Sequence, residues 1–203
     1  MVFVKDLIIN NSLNVIRQNK PEYTEEKIEE IEYGLAGLYL TISKTIVIFT
    51  LAALFGILKE LILFTLIYNI IRMPSFGMHA SSSTWCLIAS SSMFLGFSYL
   101  CTIIIIPINI KTILGIIGII LIFKNSPADT EKRPIINPKR RLIYKLISSL
   151  ISVTFVILSL VIQNDFWSNC FILSLILQCI MTMPTTYKIF RQPYDNYKTY
   201  TSV

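Results

Sequence analysis

Histidine occurs once in this chain, at position 79, and the charged residue types make up only 15% of its 203 residues, against roughly 25% in an ordinary soluble domain. Apolar residues account for 54%. So little charge excludes a disordered chain and argues against a water-soluble globule. The four cysteines, Cys86, Cys101, Cys170 and Cys179, are irregularly spaced. With a single histidine, they offer neither a clustered zinc centre, a CxxC metal site nor a disulfide framework. No glycine-rich loop ends in Lys-Ser or Lys-Thr, so ATP-driven transport has no motif to rest on. The opening residues Met1 to Asp6 lack the basic stretch, long apolar run and cleavage site of a removable signal peptide.

What is present is apolar sequence in long runs. Between Arg72 and Lys111 lie 38 residues without one Lys, Arg, Asp or Glu, about twice the ~20 needed to cross a ~30 Å hydrocarbon core. The expected fold class is therefore all-α: a polytopic integral membrane protein with four to six hydrophobic segments and an N-terminal amphipathic helix. These segments use up the length, so residues 1–203 are expected to form a single membrane domain. The net charge of +6 comes from clustered Lys and Arg, which in such a chain report orientation. Membrane lipid is the expected surrounding, and nucleic acid is not an expected partner.

Residues 2–19 carry apolar side chains at a loose helical period, which suits a helix lying on the membrane surface. Pro21 breaks it. Thr24 can cap the next helix, with Glu25 and Glu26 in a first turn whose dipole favours acids; residues 1–32 thus read as amphipathic and acidic helices. Gly34 to Leu58 is apolar apart from Lys44 and forms a first span, opening the 33–123 stretch of membrane segments. Lys59-Glu60 interrupts, and the eleven residues Leu61 to Ile71 would reach only about 16 Å as a helix. Pro74 and Gly77 break the chain again before the apolar stretch Ala80 to Ile106. Thr112 to Phe123 is another short run, in which Gly115 and Gly118 allow close helix approach.

Residues 124–145 hold seven Lys or Arg, two acids and three prolines, and the positive-inside rule places this connection in the cytoplasm. Leu146 to Ile162 and Phe166 to Met183 form a helical hairpin (146–184), so the tail 185–203, with Lys188, Arg191 and Lys198, returns to the same side. Four passages before residue 124 would put the N-terminus and Arg72 to His79 on that side too.

For chemistry near neutral pH, His79 is the first candidate base. Cys86 follows seven residues later, within ~20° of the same helical face but ~10.5 Å along the axis in a straight helix. A hydrogen bond between them requires the chain to bend or unwind between Gly77 and Ser83. Ser81 to Thr84 make that turn polar, and intramembrane polar clusters tend to be functional. Simple packing of one His and one Cys is the other reading. The remaining cysteines suit small apolar packers. Asp129 or Glu131 could supply a third catalytic member, although a loop carboxylate beside Lys132 and Arg133 is more simply a surface ion pair.

The pattern Arg72, four residues, Gly77, one residue, His79-Ala80, then Cys86 resembles the catalytic signature of the accessory gene regulator protein B (AgrB) family. These are membrane cysteine endopeptidases that process quorum-sensing peptide precursors. The loop Ser126 to Ile135 resembles that family's second signature, a proline-acidic-basic stretch. One departure is visible: Phe76 stands where the family commonly has the first of two glycines. The resemblance implies that Cys86 is the nucleophile and His79 the base, with Arg72 and Gly77 supporting the site and no cofactor or metal required. It also implies a substrate, an autoinducing-peptide precursor with an amphipathic leader and an acidic C-terminal tail, which is cleaved through a Cys86 acyl-enzyme and cyclised to a thiolactone.

Such a tail would be attracted by Lys132, Arg133, Arg140 and Arg141, together with Lys139 and Lys145; orientation alone is the other reading of this cluster. The expected location is the cell membrane, multi-pass, with both termini and the site facing the cytoplasm. A homodimer is one oligomeric state left open. The competing functional class is a non-enzymatic small membrane transporter or adaptor subunit.

Overall fold

The computed structural model describes residues 2–78, 83–131 and 134–201. Among them the regular structure is helical: α1 (Val2–Asn19), α2 (Glu25–Leu54), α3 (Leu58–Ser75), α4 (Ser83–Ile103), α5 (Ile108–Asn125), α6 (Pro138–Val161), α7 (Asp165–Thr182), α8 (Pro184–Ile189) and α9 (Lys198–Thr201). Five of these, α2, α4, α5, α6 and α7, are long and apolar enough to cross a membrane. The protein is an all-α polytopic membrane protein.

The chain divides into two compact units, Met1–Leu51 and Ala52–Val203. In the first, Ile9 and Leu13 of α1 are buried with Ile28 of α2, and Arg17 pairs with Glu25 at 2.8 Å. Thr24 caps α2 as the sequence suggests, its hydroxyl accepting from the Lys27 amide at 3.3 Å.

In the second unit α7 is the central helix, packed against α3, α4, α5 and α6. The glycines of α5 make this closeness possible. A Cβ on Gly115 would lie 2.7 Å from Val156 Cγ1 of α6, and one on Gly118 would lie 2.8 Å from Leu175 Cδ2 of α7. Phe64 of α3 stacks with Phe97 of α4, and Phe94 of α4 meets Phe64 and Tyr68 edge-on. The outward faces of α5 and α6 remain apolar, with Ile116, Ile120, Leu142, Leu146 and Leu150 all exposed, as a lipid-facing surface requires.

α3 to α7 alternate in direction, so two ends of the unit can be distinguished. At one, the start of α5 meets the end of α6 and the start of α7. The buried Lys111 ammonium donates to Ser168 Oγ at 2.6 Å, and Ser168 Oγ donates to the Ser159 carbonyl at 2.5 Å. The cation is thereby relayed to the last turn of α6, the negative end of that helix dipole. At the other end lie the C-termini of α3, α5 and α7 and the N-termini of α4 and α6.

Three elements differ from the sequence expectation. Lys59 and Glu60 do not interrupt a helix; the break lies at Gly56, with φ +71°, and both charges sit in the first turn of α3, where water can reach them. α3 and α5 therefore each run 18 residues, about 27 Å. The basic residues 139–145 belong to α6, whose N-cap Asn137 accepts from the Lys139 and Arg140 amides. A cap of this kind contributes ~1 kcal/mol. The tail folds back as α8 and a docked segment through Asn196 and Tyr197, because Asp129 supplies acceptors for its backbone.

Candidate functional site

Arg72 is placed by the last turn of α3, from which its side chain folds over the helix end. Nη1 donates to the Phe76 carbonyl at 2.7 Å, and Nη2 to the Gly77 and Met78 carbonyls at 3.3 and 3.0 Å. These carbonyls turn away from the helix, and a guanidinium fork suits several acceptors held in one place. The chain can turn here because Gly77 adopts φ +123°, and a Cβ there would overlap Arg72 Nη1 and lie 2.9 Å from the Met181 carbonyl. Phe76 takes φ +58°, a left-handed conformation that glycine adopts freely and phenylalanine does not. Its ring packs edge-on against Tyr144 of α6 at 5.1 Å, holding a residue that its backbone alone would disfavour.

The segment Ser75–Met78 is clamped from two sides. Towards the loop after α5, Phe76 and Ala128 form a parallel bridge: Gly77 N–H donates to the Ala128 carbonyl at 2.8 Å, and Ala128 N–H to the Ser75 carbonyl at 3.0 Å. Towards α7, Met78 N–H donates to the Met181 carbonyl at 3.1 Å, and the fully buried Gln178 donates through Nε2 to the Phe76 carbonyl at 2.8 Å. The two stretches singled out in the sequence, Arg72–Cys86 and Ser126–Ile135, thus touch directly. Gly77 and Met78 leave the helix, while His79 and the expected approach of its ring to Cys86 lie outside the described residues.

Cys86 lies in the first turn of α4. It is partly accessible, whereas Cys101, Cys170 and Cys179 are buried; all four are free thiols. The Cys86 carbonyl accepts from Ser90 Oγ at 2.6 Å. Among the described residues no three His, Cys, Asp or Glu side chains converge to hold a metal.

Of the basic residues singled out, Lys132 and Arg133 lie outside the described residues. Lys139 and Arg140 are exposed at the start of α6. Arg141 is engaged: Nη1 lies 3.4 Å from Asp129 Oδ2, and the guanidinium stacks 3.4 Å from the Tyr197 ring centre. Asp129 is not the surface carboxylate its neighbours suggested, since its side chain is 1% exposed. It accepts from the amides of Ile135 (3.3 Å), Asn196 (3.1 Å) and Tyr197 (2.9 Å). Four donors on one carboxylate make it the knot tying the loop, α6 and the tail together.

Tyr187, buried in α8, extends that knot to the clamp by donating to the Ala128 and Asp129 carbonyls at 3.1 and 3.0 Å. Burial pushes its phenol above the usual tyrosine value, opposed by the Arg72 charge. Tyr194 stacks edge-on against it at 5.0 Å and is pushed up to about 12, by burial first and then by Asp195.

Sequence reasoning missed Gln178 altogether and weighed Asp129 only as a third catalytic member or a surface ion pair, not as a buried anchor. A signal for the first was present: Ser174, Gln178 and Thr182 repeat every fourth residue and are all fully buried, a polar stripe on an otherwise apolar helix. Asp129 had no such signal, because its amide donors Asn196 and Tyr197 lie 67 and 68 residues away.

Comparison with known proteins shows the family. The profile of the Accessory gene regulator B family matches residues 9–182. An AgrB-like protein of Clostridium acetobutylicum is 29% identical over 83% of this chain and 80% of its own length. Another, from Listeria monocytogenes serotype 4b, is 28% identical over 92% and 91%. The accessory gene regulator protein B of Staphylococcus epidermidis is 32% identical over 82% and 85%. No solved structure matches the chain. With the family profile covering most of the sequence, the chain belongs to the accessory gene regulator B family.

Proposed function

We propose that this protein is a membrane cysteine endopeptidase that removes the C-terminal segment of an autoinducing-peptide precursor and closes the remainder into a thiolactone. Family membership places the chain in accessory gene regulation and quorum sensing. The observation that carries the finer reading is the accessibility of Cys86: it is the one cysteine of the four that is not buried, and it follows the segment fixed by Arg72, Gly77 and Gln178.

In this mechanism His79 accepts the Cys86 proton, and the thiolate attacks a backbone carbonyl of the precursor. Collapse of the tetrahedral adduct breaks the C–N bond. The amine of the C-terminal fragment leaves with the proton from His79, and an acyl-enzyme thioester remains. A cysteine thiol within the precursor then attacks that thioester, forming the ring and returning the proton to Cys86. Thioester exchange is nearly balanced in energy whereas hydrolysis is strongly downhill, so a site that excludes water favours cyclisation. Arg72 and Gly77 act on the segment that carries His79. Lys132, Arg133, Arg140 and Arg141 attract the acidic tail of the precursor, Arg141 from its place on Asp129. The positive-inside rule puts this end of the helices, and both termini, in the cytoplasm.

The test is co-expression with the cognate precursor. Cys86→Ala should abolish cleavage, and wild type should yield a covalent adduct whose mass equals protein plus N-terminal fragment less one water. Full cleavage by the Cys86→Ala variant would overturn the proposal. Replacing Arg140 by Gln should slow processing of a precursor with an acidic tail more than that of one whose tail is neutralised.

A further inference from the structure

We propose that the cleft between the end of α5 and the start of α6 is a binding site for the phosphate headgroup of an anionic phospholipid. The inference rests on the membrane assignment and not on the peptidase reading. The cleft has a volume of about 590 Å³ and is bounded by the loop at Ser126-Pro127, by Pro184 and by the docked tail, a size ordinary for a small-molecule site.

Three cations line it: Lys124, Arg141 and Lys145. The one carboxylate at its wall, Asp195, already pairs with Lys198 at 2.6 Å. Asp129 beneath Arg141 is shared with three backbone amides, so the cleft keeps an excess of positive charge. Tyr194 also lines it. An anion is therefore the matching ligand.

The surroundings favour a lipid over a soluble anion. Lys124 closes the last turn of a membrane-crossing helix, and Lys145 lies two turns into the next. Directly beside them Phe123, Leu142 and Leu146 are 54%, 58% and 56% exposed, and Lys145 Nζ sits 4.5 Å over the Phe123 ring. A headgroup in the cleft would lay its acyl chains along these residues. Basic pockets between membrane helices at the interface have this form. A free phosphate or a peptide carboxylate would use the cations but leave the apolar margin unused.

The experiment takes the full chain reconstituted in vesicles of phosphatidylcholine, with or without phosphatidylglycerol, and measures retained lipid by native mass spectrometry. Wild type should retain phosphatidylglycerol over phosphatidylcholine, and Lys124→Gln and Lys145→Gln should each reduce that preference by about fivefold. Lys124→Arg and Lys145→Arg, which keep charge and fold, should restore it. Equal retention of the two lipids by wild type, or an undiminished preference in the Lys124→Gln, Lys145→Gln double variant, would overturn the proposal. Displacement of phosphatidylglycerol by inorganic phosphate or by an acidic peptide at comparable concentration would overturn it too, assigning the cleft to a free anion or a peptide.

Discussion

Gln178 and Phe76, 102 positions apart in the chain, are joined by a 2.8 Å hydrogen bond inside the second unit. Its donor is fully buried and its acceptor belongs to a residue held at positive φ. The last membrane helix thus holds the turn that leads to His79. Gln178→Leu should leave the Phe76 carbonyl short of one donor at a cost of ~1–3 kcal/mol. Precursor turnover should fall at least tenfold while precursor binding stays unchanged, and Gln178→Glu at low pH should recover part of the loss. Equal losses of binding and turnover would point to general unfolding instead.

Neighbouring residues of that turn should respond in opposite ways. Gly77→Ala brings a methyl group onto Arg72 and the Met181 carbonyl, so activity and thermal stability should both collapse. Phe76→Gly relieves a backbone conformation costing on the order of 1–3 kcal/mol but gives up the Tyr144 contact. It should therefore change the melting temperature in detergent by only a few degrees.

Asp129 should behave as a structural anchor. Asp129→Ala removes the acceptor of three amides and leaves Arg141 unpaired, a loss of about 3 kcal/mol for a largely buried pair. Limited proteolysis should then cut within residues 190–198 at protease concentrations that leave wild type intact. A resistant tail would show that its docking does not depend on this carboxylate.

The far end of the unit offers a comparison of two substitutions at one contact. Ser168→Ala strands the buried Lys111 ammonium without its acceptor, whereas Lys111→Met removes the charge itself. The first should destabilise by ~2–3 kcal/mol and the second by no more than ~1 kcal/mol, as read from thermal unfolding in the same detergent.

Alkaline pH should loosen the tail. An unfolded tyrosine loses its proton near pH 10, whereas Tyr194 in the fold holds its own to about 12. Between those values the unfolded state binds fewer protons, so stability falls as pH rises. Tyrosinate absorbance should show a late-titrating component that shrinks by one tyrosine in Tyr194→Phe, the remainder including the buried Tyr187, together with tail cleavage that begins above pH 10.

The membrane character and the helix order were legible from the long uncharged runs, and Thr24, Asn137 and Asn164 act as caps of the kind their residue types favour. Length misled where a charge fell inside a helix. Lys59, Glu60 and Lys111 look like interruptions in one dimension, but the first two lie in a terminal turn and the third finds Ser168 across a helix interface. Of the candidate site, Arg72 and Gly77 lie close in sequence, and the fold brings the Arg72 guanidinium onto the Gly77 carbonyl. The partners that hold the Ser75–Met78 segment, Ala128, Gln178 and Met181, come from other helices and loops, and no local pattern encodes a contact spanning more than fifty residues.

The clamp on Ser75–Met78 also fixes an order of events during synthesis. Its partners Ala128, Gln178 and Met181 emerge from the ribosome long after the segment they hold, and chains fold as their N-terminal parts appear. A nascent protein that has inserted α3 and α4 but not yet α7 carries the His79 segment without its brace. The turn can be completed only when the last membrane helix has been made, so a truncated product lacking α7 would enter the membrane with this end of the helices unassembled.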